Sequence, residues 1–318
     1  MRVYCDGCGG GLEVTLISVI LPTYNRAQSL RRAIDSVLAQ THQELELIVA
    51  DDASTDGTAA LLATIHDPRL RHLRCPRNGG PGYARNRGVE AARGEVLAFQ
   101  DSDDEWVPEK LQEQWLLLQV APAEVAMVCG AYIAHFPDGH EMRVRAPGQE
   151  KADVETDILA GWCGIPPSWL LRRDRFDAIG GFDEGLPNRE DWDLVLRMSG
   201  KWKVLPQTRP LTHKHTTAGS LEHDRDKRVT SGNIILARHA ARFATVPAIT
   251  AGHWYRIART QIQLGDAAGA RQALRKAMQS RPGQIKLIVV YVALLFGIGL
   301  FRGAARVRRR LLGLDQGH

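Results

Sequence analysis

Apolar residues in the first hundred positions come in short runs, with helically spaced stretches between them. Leu16-Ile17-Ser18-Val19-Ile20-Leu21 is a run of strand length stopped at Pro22. Leu45-Glu46-Leu47-Ile48-Val49-Ala50, Leu70–Leu73 and Val96–Phe99 follow at short intervals. The first run suits a buried strand, and the three that follow are read as the next strands of the series. Between the first two, Leu30, Ile34, Val37 and Leu38 recur at helical spacing within Ser29 to Thr41. Thr58–Ile65 and residues 83–92 carry two more predicted helices. The alternation of strand and helix predicts an α/β fold built on a doubly wound, mostly parallel sheet.

After residue 105 the pattern becomes mixed. A helix started by Pro108, strands near 125–134 and 168–172, and helices near 174–179, 190–200 and 220–243 are expected. From His253 to Gln284 an αα-hairpin turns around Leu264-Gly265-Asp266. It resembles a single tetratricopeptide-type unit, too few for a solenoid. Residues 287–301 are uncharged and mainly apolar, short of the roughly 20 residues that a spanning helix needs. Arg302, Arg306, Arg308, Arg309 and Arg310 follow. An apolar run beside an Arg cluster suits an anchor on an anionic leaflet; a buried helix with a solvated basic end is the other reading.

Composition narrows the class. Apolar residues make up 44% and charged residues 24% of the 318, which excludes a disordered, collagen-like or multi-span membrane chain. The formal charge is +5, yet ten Lys/Arg and no Asp/Glu fall within 271–310. The remainder is net acidic, so a basic tail on an acidic body is expected rather than a nucleic-acid binder. Five Cys are too few for a disulfide scaffold. Cys5 and Cys8 form one C-x-x-C with no second pair at ligand spacing, short of the four ligands that zinc takes. Residues 1–15 hold no apolar signal region, so a cytoplasmic protein is expected.

Three acidic clusters carry candidate chemistry. In doubly wound sheets ligands bind beyond the carboxyl ends of the strands, and Asp51/Asp52 and Asp101/Asp103 stand at two such ends. In Asp101-Ser102-Asp103, alternation puts both carboxylates on one side of an extended segment. Mg²⁺ and Mn²⁺ are commonly held by such a pair together with substrate phosphates; a polar loop capping the next helix is the plainer reading. Asp51-Asp52 can accept a hydrogen bond from a base N–H or a ribose hydroxyl, or can build an Asx-turn and cap. Glu190-Asp191-Trp192-Asp193 opens a predicted helix. There acidic residues complement the macrodipole, or Asp191 serves as a general base. Trp162, Trp169 and Trp192 are available to stack on sugar rings, although core packing is the commoner fate of Trp. Asn78-Gly79-Gly80-Pro81-Gly82 is only loosely like a phosphate loop, because it lacks the Lys-Ser/Thr ending.

The motifs occur in a familiar order. Ser18-Val19-Ile20-Leu21-Pro22-Thr23-Tyr24-Asn25-Arg26 and Val49-Ala50-Asp51-Asp52-Ala53-Ser54-Thr55-Asp56-Gly57-Thr58 resemble the opening of family 2 glycosyltransferases, which have the GT-A fold. Ala84-Arg85-Asn86-Arg87-Gly88 and Phe99-Gln100-Asp101-Ser102-Asp103-Asp104 continue the likeness. Ile179-Gly180-Gly181-Phe182-Asp183-Glu184 and Glu190-Asp191-Trp192-Asp193-Leu194-Val195-Leu196-Arg197 resemble the family's acceptor-side motif. The resemblance covers about residues 16–220.

That resemblance implies roles position by position. Pro22, Tyr24 and Asp52 would contact the nucleotide base, with Asp51 beside them. Arg85 and Asn86 fall where the family reaches the ribose or diphosphate. Asp103 would hold Mn²⁺ or Mg²⁺ directly, and Asp101 directly or through water. His215, with His213 as its rival, falls near a late His that serves the diphosphate or metal. Asp191 would be the base, and some local desolvation is expected there to keep it basic. Ala53 stands where the family often has Gly or Asn, and is expected to be tolerated.

The implied organisation is an N-terminal extension (1–15), a nucleotide-sugar-binding half (16–105), an acceptor-binding half of the same domain (106–245), a helical hairpin (246–284) and a membrane-associating tail (285–318). The implied activity is metal-dependent, inverting transfer from a nucleotide-diphosphate sugar, UDP favoured, to a saccharide or lipid-linked acceptor. Cell-surface polysaccharide assembly on the inner face of the cytoplasmic membrane is the expected setting. Two alternatives stand beside it. A sugar-nucleotide nucleotidyltransferase would need a Gly-rich loop with a catalytic Lys or Arg where this chain has Pro22-Thr23-Tyr24-Asn25. A non-catalytic membrane-associated scaffold would use only the hairpin and tail.

Overall fold

The structure, a computed structural model, describes residues 2–3, 12–13, 15–148, 153–216 and 224–295. Cys5, Cys8, the end of the apolar run and the Arg cluster at 302–310 lie outside the described residues. The chain divides into two compact units, Met1–Leu186 with Glu190–Ser220, and Pro187–Arg189 with Leu221–His318.

In the first unit, β1 (Arg2–Val3) and β2 (Leu12–Glu13) form a short antiparallel pair. Then come β3 (Ile17–Thr23), α1 (Ala27–Leu38), β4 (Leu45–Asp51), α2 (Thr58–Ala63), β5 (Leu70–Arg74), α3 (Pro81–Ala91) and β6 (Val96–Phe99). The mixed half follows as β7 (Glu105–Trp106), α4 (Lys110–Val120), β8 (Val125–Gly130), β9 (Tyr132–His135), β10 (Glu141–Val144) and α5 (Glu155–Ala160). It ends with β11 (Trp169–Arg172), α6 (Arg173–Ala178), α7 (Glu190–Ser199), β12 (Lys203–Gln207) and β13 (Thr212–His215).

Seven strands form the main sheet in the order β12-β8-β11-β6-β3-β4-β5. β6, β3, β4 and β5 are mutually parallel, as the apolar runs predict, and β11 is antiparallel to both its neighbours. The chain runs from β3 outward through β4 to β5, then returns to place β6 on the other side of β3. The topological switch point, where such sheets bind ligands, therefore lies between the ends of β3 and β6. Pro22 is tolerated in this central strand because the β3–β6 pairing ends at Ile20↔Phe99. Its missing N–H falls just past the last partner.

The predicted strand at 125–134 is two strands. β8 lies in the main sheet, and β9 lies in a second sheet of order β10-β9-β13-β7. The Ala131 N–H donates to the Gln207 carbonyl (2.8 Å) at the crossing. β12 and β13 make the same passage alongside, parallel to β8 and β9 respectively.

The central parallel strands β3, β4 and β6 bury both faces, so polar residues inside them need partners. Ser18 Oγ donates to Glu46 Oε1 (2.6 Å) and accepts from the Gly94 N–H (2.8 Å). Glu46 also accepts from the Arg93 N–H (2.6 Å), Arg93 Nε (3.0 Å) and Arg71 Nη1 (3.1 Å). Burial alone would raise this carboxyl, but the hydrogen bonds outweigh it and hold it below its ordinary value.

The second unit is helical: α8 (Arg225–Arg238), α9 (Ala240–Ala244), α10 (Pro247–Leu264), α11 (Ala267–Ser280) and α12 (Ile285–Leu295). The predicted helix at 220–243 breaks at His239, which caps α8 and begins α9. α10 and α11 form the expected hairpin. Gly265 takes φ +91°, a left-handed cap that suits glycine, and Asp266 accepts from the Gly269 N–H (2.8 Å) to start α11.

The Glu46 network makes a testable demand. A carboxylate held low in the fold stabilises it above the unfolded value of about 4.3, and that contribution is lost as pH falls through the folded value. Glu46→Gln is expected to cost about 2–3 kcal/mol at pH 7. In urea titrations, its difference from wild type should shrink steadily once the pH drops below about 4.

Candidate active site

The loops after β3 and β4 are built as one piece. Asn25 takes φ +52°, and its Oδ1 accepts from the Thr55 N–H (2.8 Å). Its own N–H donates to Ser54 Oγ (3.0 Å). Asp56 accepts from the Thr58 N–H (3.0 Å) at the start of α2 and from the Ala27 N–H (3.1 Å) at the start of α1. One carboxylate thus caps two helices. Ala53, at φ +62°, is accommodated in a conformation that disfavours a Cβ.

The two neighbouring aspartates have separate tasks. Asp51 is fully buried. Its Oδ1 accepts from the Ser54 N–H (2.8 Å) and its Oδ2 from Arg74 Nη1 (2.8 Å), with His72 Nε2 at 3.6 Å. It braces the turn against β5. Asp52 accepts from the Gly79 N–H (2.9 Å) and the Gly80 N–H (2.8 Å), fixing the Gly loop before α3. That loop needs both glycines: a Cβ on Gly79 would collide with the Tyr83 ring, and Gly80 has φ +86°. Pro22 is buried on β3 beside these groups, and Tyr24 stands 45% exposed at the strand end. β4 and β6 flank β3, so their ends lie about 10 Å apart.

At the end of β6, Asp101 Oδ1 accepts from Arg85 Nη2 (2.7 Å), and Glu190 Oε1 accepts from Arg85 Nη1 (2.9 Å). Arg85 is only 4% exposed. Burial pulls its guanidinium down, and Asp101 and Glu190 more than offset that, leaving it above its ordinary value. Burial pushes Glu190 up; Arg85 opposes this and Asp191 adds to it, and the net direction is upward. Arg85 therefore ties the strand end to the first turn of α7, where Asp191 Oδ1 accepts from the Trp192 N–H (2.7 Å).

Asn86, beside Arg85 on α3, is taken up by the loop before α7. It donates to the Phe182 carbonyl (2.9 Å) and to Glu184 Oε1 (2.9 Å), and accepts from the Phe182 N–H (3.0 Å). Trp169 and Trp192 are core residues. Their indoles donate to the Cys163 carbonyl (2.6 Å) and the Ile158 carbonyl (2.8 Å).

Asp103 Oδ2 lies 3.8 Å from Arg26 Nη2, and the Asp103 carbonyl accepts from Arg32 Nη2 (2.6 Å). Asp104 is buried and accepts from the His215 N–H (3.0 Å). Burial, then Asp101 and Asp103, push its carboxyl well up. His215 stacks on His135 with ring centroids 4.9 Å apart, and His135 Nε2 is 2.8 Å from His213 Nδ1. Burial, then Arg32 and His135, hold His215 below its ordinary value. Its Nε2 makes no hydrogen bond among the described residues and lies 3.7 Å from Glu105 Oε2.

No group of three or more His, Cys, Asp and Glu already forms a metal cage among the described residues. The donor set nevertheless fits a cation completed by a substrate. Asp101 and Asp103 offer two carboxylates, Asp104 is raised by burial and then by those two charges, and His215 Nε2 has no hydrogen bond among the described residues, with Glu105 Oε2 at 3.7 Å. Arg26, Asp104 and the pairing partner Glu190 were not among the residues expected from sequence. Glu190 could be suspected only from its place beside Asp191.

Comparison with known proteins gives this site its context. The Glycosyl transferase family 2 profile matches residues 18–180. The chain belongs to family 2 of the glycosyltransferases. Over 115 residues it is 43% identical to the succinoglycan biosynthesis protein ExoO of Rhizobium meliloti (strain 1021), covering 36% of this chain and 33% of ExoO. The chain spans about a third to a half of the length of the curated relatives it matches. The fold is that of S. aureus TarS 1-349, solved with UDP-GlcNAc (TM-score 0.67, 19% identity, 92% of this chain and 91% of that one). It is also that of the mannosyltransferase PcManGT of Pyrobaculum calidifontis, solved with GDP-Man and Mn²⁺ (TM-score 0.60, 18% identity, 91% and 79%). The mostly parallel sheet of this family 2 member is thus a GT-A sheet.

The Arg85 bridge can be tested by stability alone. Arg85→Met leaves two partly buried carboxylates facing each other without their buried cation and is expected to cost about 2–4 kcal/mol. Arg85→Lys, with one point charge for two partners, should recover only part of that. Guanidinium titration followed by circular dichroism reads both values.

Proposed function

We propose that the chain is a metal-dependent, inverting glycosyltransferase. Its donor is a nucleotide-diphosphate sugar, UDP favoured, and its acceptor a saccharide or lipid-linked saccharide of a surface polysaccharide. The observation that carries this is the carboxylate array at the switch point: Asp101, Asp103 and Asp104 at the end of β6, joined through Arg85 to the helix start that bears Asp191. The donors and pathway named for TarS, PcManGT and ExoO support the substrate class. Placement at the inner face of the cytoplasmic membrane belongs to the same reading. Among the described residues no helix is long and apolar enough to cross a membrane.

In this reading the base binds against Pro22, Tyr24 and the Asp52-pinned loop. Arg85 holds Asp101 in place and keeps Glu190 beside Asp191. Asp101 and Asp103, with His215 as a further candidate, would hold Mn²⁺ or Mg²⁺, which supplies positive charge to the departing diphosphate. Asp191 accepts the proton of the acceptor hydroxyl as that oxygen attacks the anomeric carbon. Attack from the face opposite the diphosphate inverts the centre, through an oxocarbenium-like state. Burial at the start of α7 raises the neighbouring Glu190 carboxyl, the direction in which a carboxylate becomes more basic.

Thermal shift with Mn²⁺ across UDP-, GDP- and dTDP-sugars tests the donor class, since a ligand held by the folded state raises its stability. A UDP-sugar should give the largest shift, and no shift with any donor contradicts the reading. Asp191→Asn is expected to lower transfer by about 10²- to 10⁴-fold while leaving the donor-induced shift nearly intact. Parallel loss of both would remove Asp191 from the role of base.

A further inference from the structure

The last described helix has two apolar sides. On α12, Leu287, Val290 and Leu294 are buried, and the helix packs along α11. At 3.6 residues per turn, Ile285, Ile288, Val289, Val292 and Leu295 fall on the opposite side. They are between 44% and 75% exposed. Scattered exposed aliphatics are ordinary, but five on one helix face mark a docking surface.

The charge beside this stripe says what it docks on. Lys286 on α12 and Arg275 on α11 are exposed. Arg275 Nε donates to Tyr291 Oη (2.8 Å), which secures that guanidinium against α12. Arg271 and Lys276 share α11, Arg281 follows it, and no Asp or Glu occurs anywhere from 271 to 310. A second copy of this face would bring cations against cations. A surface of lipid phosphates complements both the stripe and its basic flank. The sequence after Leu295 continues in the same character, with Phe296, Ile298, Leu300 and Phe301 before the five arginines.

We propose that the outward face of α12 is a docking surface for an anionic lipid bilayer. Ile285, Ile288, Val289, Val292 and Leu295 enter the boundary between headgroups and acyl chains, and Arg275 and Lys286 meet lipid phosphates. This rests on the peripheral membrane placement proposed above and names the face and the lipid charge that achieve it.

Flotation of the full chain with vesicles tests it, using equal parts phosphatidylglycerol and phosphatidylcholine against phosphatidylcholine alone. The wild type should float with the anionic vesicles only. Ile288→Ser combined with Val292→Ser should weaken binding at least about tenfold. Val292→Trp, an interfacial residue at the same place, should tighten it. Circular dichroism and donor turnover confirm that each variant is folded. A double variant that binds like wild type overturns the assignment to α12, while leaving the peripheral placement to the residues beyond it. A wild type that floats with neither vesicle overturns both, and donor turnover then shows separately whether the glycosyltransferase reading stands. A wild-type dimer that the double variant converts to monomer, with vesicle binding unchanged, overturns it in favour of a second copy.

Discussion

One guanidinium held out of water between two carboxylates sets the geometry of the carboxyl end of the sheet. Taking Arg85 into the interior is costly unless its donors are matched. Asp101 and Glu190 match two of them at 2.7 and 2.9 Å. Because Arg85 is on α3, Asp101 follows β6 and Glu190 starts α7, the bridge joins two consecutive elements to a third that the chain reaches about a hundred residues later. A lysine could not do this equally well: a guanidinium presents donors in a fixed fork, whereas an ammonium is a single point charge. Asn86 makes a parallel tie one residue later, gripping the Phe182–Glu184 loop that leads to the same helix.

The other side of the switch point is rigid for a different reason. There the backbone N–H groups, not the side chains, are being organised. Asn25, Ser54 and Asp56 interlock the two strand-end loops, and Asp52 spends its two oxygens on Gly79 and Gly80. Groups fixed before a ligand arrives lose little entropy when it binds. In the proposed reading this interlocked surface, with Pro22 and Tyr24 beside it, is where the base would lie.

Three of the parallel strands, β3, β4 and β6, were legible because both their faces are buried, which leaves nearly continuous apolar runs in the sequence. β5, an edge strand of leucines among basic residues, was legible only from its place in the alternation of strands and helices. The β8–β9 division was not, because Val125 to Ala134 reads as one run. What divides it is the hydrogen bond from Ala131 to Gln207, more than seventy residues away. Site positions were legible for the same reason that the strands were: a polar cluster after an apolar run marks a strand end. What each carboxylate holds was hidden. Nothing local separates Asp51, engaged with Arg74, from Asp52, engaged with the Gly loop. Glu190 looked like an ordinary acidic helix start until Arg85 was placed against it. In α12, near-uniform hydrophobicity left no period from which the covered side could be read.

The charge at the end of β6 carries a final consequence for the proposed chemistry. Asp101 is matched by Arg85, while Asp103 and Asp104 crowd beside it, and Asp104 is pushed toward its neutral form by burial and by those two neighbours. Arg26 Nη2 stands 3.8 Å from Asp103 Oδ2, Arg32 holds the Asp103 carbonyl, and Lys214 adds positive charge beside Asp104. A sugar nucleotide brings two more negative phosphates to this place. On its own it would meet these carboxylates as well as the neighbouring arginines. A divalent cation would favour it, because the carboxylates that repel a phosphate are the ligands that such a cation takes. In the proposed reading Asp101 and Asp103, whose own cationic neighbours are arginines fixed by other elements of the fold, are the carboxylates that such a cation would take.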